Sequence, residues 1–119
     1  MGAETVAKYL LEFERGGALQ AGRVRAQFTK LVKVVRARCA DDADIAARLA
    51  EIGTDIDAME MIDISVLSAL QSGANPGPVS SLVKLRWSQL RQTISELAVD
   101  AIGLDALRSR RRRSYTGPW

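Results

Sequence analysis

The chain has 119 residues, of which 47% are hydrophobic, 26% charged and 5% aromatic, with a net charge of +3 at neutral pH. This is the make-up of one globular domain whose core is built from Leu, Ile, Val and Ala. It has no histidine, which excludes His-based triads, His metal sites and imidazole acid–base chemistry. Its single cysteine, Cys39, excludes an intrachain disulfide and fits a reducing, cytoplasmic setting, and no apolar run approaches the roughly 18 residues of a membrane span.

The opening stretch places Val6, Tyr9, Leu10 and Phe13 at helical spacing, with Lys8, Glu12 and Glu14 between them, which predicts a short amphipathic helix. No signal peptide is expected, because this apolar patch is soon broken by charge. Gly16-Gly17 is one place for the helix to end; alternatively, the following ALQAG is a weak point in a longer helix. From Arg23 to Cys39, the residues Val24, Phe28, Leu31, Val32, Val35 and Cys39 line one side. Arg25, Lys30, Lys33, Arg36 and Arg38 take the other, and the last of them suit the negative end of a helix dipole.

The run Asp41-Asp42-Ala43-Asp44 signals a turn and a helix start, with Asp41 or Asp42 as the cap. The next helix is expected over Ile45–Gln71, with a stripe of Ile45, Leu49, Ile52, Ile56 and Met59 continuing through Ile62, Val66, Leu67 and Leu70. Its length would be about 40 Å at a rise of about 1.5 Å per residue. Gly53 should cost about 1 kcal/mol relative to alanine. The acids Asp41, Asp42, Asp44, Glu51, Asp55, Asp57, Glu60 and Asp63 are read as a solvated helix surface rather than metal ligands, since no Glu-x-x-His motif accompanies them. The break SGANPGP lacks the lysine and the spacing of a phosphate loop.

Pro76-Gly77-Pro78 should stop the preceding helix, and Ser80 or Ser81 should cap the next. Val83, Trp87, Leu90, Ile94, Leu97 and Ala101 then step by fours and threes along one face, and Gly103 sits where a terminating glycine belongs. Leu82, Leu85 and Val99 fall off this stripe, which implies more than one neighbour. Trp87, Met59 and Met61 are assigned to core or interface. No stretch alternates with period two, so the fold class is all-α, an up-and-down helical bundle. The domain is expected over residues 1–107, followed by a basic, flexible tail over 108–119 that carries Arg108 and Arg110 to Arg113.

Two stretches carry a resemblance. PGPVSSLVKLRWSQLRQTISELAVDAIG closely resembles the C-terminal helical domain of acyl-CoA dehydrogenases, in particular the bacterial branch. TVAKYLLEFERGG is similar to that branch's segment following the flavin-binding β-domain. The resemblance covers Gly2 to Leu107, with both stretches in the right order and at the right separation.

It implies a flavoenzyme family that oxidises acyl-CoA thioesters to 2,3-enoyl-CoA. The β-hydride passes to FAD and a glutamate takes the α-proton. Members have an N-terminal helical domain, a middle β-domain and a C-terminal four-helix bundle, and assemble as dimers or tetramers. By resemblance, Glu12 and Arg15 are candidates for the substrate pocket; the alternative for this i,i+3 pair is a surface ion interaction. No residue is assigned a catalytic role, and none a metal or a flavin.

The departures are equally specific. Neither a segment like I-Y-G-G-T-S-E-I nor the arginine-plus-phenylalanine contact to a neighbouring flavin has a counterpart here. The chain therefore reads as a C-domain piece that is inactive alone, binds no FAD by itself, and self-associates or pairs with a partner chain through its helical faces. The other class of reading is a stand-alone helical interaction module whose basic tail contacts nucleic acid or protein. Nucleic acid is the less expected of these, because Tyr115 and Trp119 offer no stacking platform.

Overall fold

The computed structural model describes residues 4, 7–8, 19–75 and 77–115, and among them there are three long helices and no strand. They are α1 (Leu19–Arg38), α2 (Ala43–Gln71) and α3 (Pro78–Tyr115). The expected opening helix falls mostly outside the described residues, although Glu4, Ala7 and Lys8 are helical and exposed. In the ALQAG stretch, the residues from Leu19 to Gly22 belong to α1.

Each turn between helices has a local cause. The Asp42 backbone is extended, and its Oδ1 accepts from the Ile45 N–H at 2.9 Å, satisfying a donor left free in the first turn of α2. Such a cap contributes about 1 kcal/mol. The other end of α2 closes at Gly73 rather than at the prolines. Gly73 has φ +87°, its N–H donates to the Leu70 carbonyl at 3.0 Å, and the Ala74 N–H donates to the Ala69 carbonyl at 2.9 Å. This paired closure needs a left-handed residue, which glycine adopts without a Cβ clash.

The Asn75 side chain then accepts from the Gly77 N–H at 2.9 Å, and α3 starts at Pro78 itself. Neither Ser80 nor Ser81 is the cap, since both lie within the helix. Proline suits a first helical position because its φ is preset and its missing N–H has no partner to lose there.

Gly103 does not end α3, which runs on through the first part of the basic segment. Tertiary contacts hold it past the glycine: Leu104 packs on the core, Asp105 pairs with Arg38, and Arg108 pairs with Asp41. These outweigh a helix penalty of about 1 kcal/mol for glycine.

The helices alternate in direction. Gln20 meets Ser88, Gln27 meets Ser95, and Arg38 meets Asp105, a nearly constant offset that makes α1 and α3 parallel. Arg48 pairs with Asp100 and Asp55 with Arg86, so α2 runs against α3. The result is a three-helix up-and-down bundle.

The core contains Val24, Leu31, Val35 and Cys39; Ile45, Ile52, Ile56, Met59, Val66 and Leu70; and Val83, Trp87, Leu90, Ile94, Leu97 and Ala101. The α3 set matches the expected stripe at every position. Gly53 has a packing role as well: the Phe28 ring lies over it, 3.1 Å from where a Cβ would stand.

One expectation fails along α2. Ile62 is 42% exposed, and Met61 is exposed too, whereas Asp63 is 6% exposed and occupies the core-facing position between Met59 and Val66. The buried positions 56, 59, 63, 66 and 70 keep the three-and-four rhythm, so the phase is conserved and only the residue type at 63 is unusual.

Candidate functional site

Asp63 is the one buried charged side chain among the described residues. The sequence places it with the acids of a solvated helix surface, and the structure corrects that by burying it. The Trp87 indole Nε1–H donates to its Oδ2 at 3.0 Å, while Oδ1 is buried without a partner. Burial pushes the Asp63 carboxyl above the usual carboxylate range; the indole hydrogen bond opposes this, and the nearby Glu60 charge adds to it. The available signal was positional, because 63 continues the buried rhythm of α2.

The other acids form a surface network. Arg25 reaches across from α1 to Asp57 at 2.8 Å and Glu60 at 2.7 Å. Arg48 joins Asp100 at 2.8 Å, and Arg86 joins Asp55 at 3.1 Å. Partly exposed pairs of this kind contribute up to about 1 kcal/mol each, and they mainly fix which helix faces meet.

The end of the bundle near the α1–α2 turn is more concentrated. Arg108 donates to Asp41 at 2.8 Å and lies 3.6 Å from Asp42, while Arg38 pairs with Asp105 at 3.0 Å. The Arg108 guanidinium holds the Asp41 carboxyl below its ordinary range. Arg38, Asp41, Arg108, Arg111 and Arg112 line an open cavity of about 500 Å³. A second, apolar groove of about 300 Å³ lies between α1 and α3, lined by Leu31, Val34, Ile94, Ala98 and Ile102 among others.

The chemistry these groups allow is restricted. Cys39 is fully buried and its thiol donates to the Ala101 carbonyl at 3.4 Å, so it packs as a small apolar residue. No group of three or more metal-ligating side chains forms among the described residues, and none of the described helices is long and apolar enough to cross a membrane. The candidates Glu12 and Arg15 lie outside the described residues. The described residues that line the basic cavity are all charged. Trp87 is fully buried in the core.

The arrangement is thus a packed three-helix frame with a polar seam, long charged edges and exposed apolar residues on its outer side. Neither the curated proteins nor the solved structures provide a match to the chain. The family model of the acyl-CoA dehydrogenase C-terminal domain matches residues 3–115, nearly the whole of it. With an all-helical bundle and a family match over this span, the chain belongs to the acyl-CoA dehydrogenase C-terminal domain family.

Proposed function

We propose that the chain serves as the C-terminal helical part of an FAD-dependent acyl-CoA dehydrogenase in the cytoplasm, forming a rigid wall for a site completed elsewhere. The observation that carries this reading is the outer face of α3. Leu82, Leu85, Gln89, Gln92, Glu96, Val99 and Gly103 recur there at three- and four-residue steps, opposite the buried stripe, and all are exposed. Leu82 is 62%, Leu85 55% and Val99 69% exposed, and Glu96 is the face's single charge. A helix with apolar residues on two opposite sides is built to have neighbours on both.

A second copy of the chain or a flavin-binding partner would cover this face. Glu12 and Arg15 would border the acyl-CoA pocket of the completed enzyme, which oxidises the thioester to its 2,3-enoyl form. In such an assembly, packed helices hold substrate and flavin at a fixed separation and keep water out.

The 119 residues alone, mixed with FAD, acyl-CoAs of several lengths and an artificial electron acceptor, should give no dye reduction above the blank. Turnover that depends on this chain would overturn the reading. Light scattering across a concentration series should show association, and Leu85→Asp should weaken it. A sharp monomer mass that persists at high concentration would remove the second copy as the occupant of this face.

A further inference from the structure

Among the described residues, two buried side-chain oxygens have no hydrogen-bond partner, Asp63 Oδ1 and Gln20 Oε1. They belong to different helices, and the register brings their residues to one level of the bundle. Arg25 meets Asp57 and Glu60 across α1 and α2. Because these helices run in opposite directions, Gln20, five residues before Arg25, comes level with residues 62–65. From α3, Trp87 donates to Asp63 Oδ2 at 3.0 Å, and the next residue, Ser88, accepts from Gln20 Nε2 at 3.4 Å. The layer one heptad along supplies a comparison. There Gln27 donates to Ser95 at 3.1 Å in the same way, but the α2 and α3 core positions are Ile56 and Ile94. The glutamine–serine pair recurs, and the orphaned amide oxygen occurs in the layer that holds the aspartate.

We infer that Gln20 and Asp63 form a proton-responsive pair: the neutral carboxyl donates its Oδ1–H to Gln20 Oε1, and once that proton is released to solvent the Gln20 amide turns over to present Nε2 to the carboxylate. An ionised carboxylate only accepts, whereas the protonated group has one donor, so the proton decides which end of an amide can face it. The observed amide orientation is that of the neutral form, since Nε2 is engaged with Ser88 and the oxygen is left to receive. With the Asp63–Gln20 link in place, donation runs one way from Trp87 to Asp63, Gln20, Ser88 and finally the Lys84 carbonyl, 3.2 Å from the Ser88 hydroxyl. After ionisation the Gln20–Ser88 link reverses, and the Ser88 hydroxyl leaves the Lys84 carbonyl for the amide oxygen. Either arrangement satisfies both buried oxygens, which are otherwise penalised. Few charges compete for the carboxyl. Glu60 on α2 favours its neutral form, and Arg25 of α1 is shared between Glu60 and Asp57. Arg23 on α1 is exposed; on α3, Arg86 is committed to Asp55, Lys84 is half-buried and Arg91 is exposed.

The test is an NMR titration of the full, isotope-labelled chain between acid and neutral pH, following the Asp63 carboxyl carbon and the side-chain amides of Gln20 and Gln27. The Gln20 amide resonances should move with the same midpoint as the Asp63 carboxyl. Those of Gln27, which lies level with Ile56, should not. Nuclear Overhauser contacts from the Gln20 amide hydrogens to the Ser88 β-hydrogens should be strong below the midpoint and weaken above it, as the amide turns over. Asp63→Asn, which keeps a donor in place at every pH, should flatten the Gln20 response. Gln20→Met should raise the Asp63 midpoint by about one pH unit, because a hydrogen bond to a charged group is worth more than one to a neutral group. Circular dichroism of each variant checks that the helices persist.

The inference is overturned if the Gln20 amide stays flat while Asp63 titrates, or if Gln27 moves as much as Gln20. It is equally overturned if Gln20→Met leaves the Asp63 midpoint where it was, or if the contacts to Ser88 do not change across the titration.

Discussion

Trp87→Ala is expected to destabilise the chain by about 3–5 kcal/mol, a large share of the roughly 5–15 kcal/mol that holds a typical domain together. Trp87 is the largest fully buried side chain, so its removal leaves a cavity bordered by α2 and α3. It also strips Asp63 of the one hydrogen bond it has, leaving both carboxylate oxygens unpartnered in an apolar setting. Trp87→Phe separates these effects, since it keeps an aromatic ring in place but removes the indole N–H. It should cost about 1–3 kcal/mol.

The pair also sets a pH dependence whose sign follows from the carboxyl. Burial raises its folded-state value above the unfolded one, which is about 3.9 in model peptides. Its contribution to stability is therefore fully present below the unfolded value and is lost as pH rises through the folded one. Asp63→Asn, which can still accept from the indole, should match the parent in strong acid and exceed it at neutral pH. Trp87→Phe should steepen the parent's loss, because the indole bond that favours the ionised form is gone. Asp41, held down by Arg108, contributes a slope of the opposite sign in all three proteins, so the differences isolate Asp63. Thermal unfolding from pH 3 to pH 7 would show this, and parallel parent and Asp63→Asn curves would refute it.

The second large effect is a contrast between two isoleucines on α2. Ile56 is fully buried, and Ile56→Ala should cost about 2–5 kcal/mol. Ile62 is 42% exposed, and Ile62→Ala should stay within about 0.5 kcal/mol of the parent. Urea denaturation of the two variants measures both. Equal losses would mean that the core face of α2 continues through position 62 instead of 63.

That contrast also marks where pattern reading worked and where it did not. The face Val83, Trp87, Leu90, Ile94, Leu97 and Ala101 was legible because every position in the rhythm carries an apolar residue, as buried packing demands. Along α2 the same rhythm reaches an aspartate, and hydrophobicity drew the stripe one residue aside to Ile62. A buried carboxylate becomes visible only when its indole partner, 24 residues away, is brought beside it.

The helix ends failed for a different reason. Pro76-Gly77-Pro78 and Gly103 are local signals, but Gly73 had already closed α2, and long-range contacts carried α3 past Gly103. The arginine run was readable as charge. Its meeting with Arg38 and Asp41 was not, because it depends on the register between helices 67 residues apart. Glu12 and Arg15 rest on family resemblance and on the reading proposed above.

The alternating course of the helices has a kinetic consequence. The α2–α3 hairpin closes through a short connection, so its contacts form with little loop-closure entropy. The parallel α1–α3 seam joins residues 62 to 68 apart in sequence, but once α2 has folded onto each neighbour that span is already bridged. Low effective contact order of this kind favours rapid folding, with the hairpin as the natural nucleus. The shortest of the three helices, α1, contributes Val24, Leu31 and Val35 and the partly buried Phe28 to the core, fewer side chains than either neighbour, and it should be the first of the three to open in the native state. Native-state hydrogen exchange would then find the amides of α1 exchanging by local detachment, while those around Trp87 and Leu90 wait for the whole molecule to unfold.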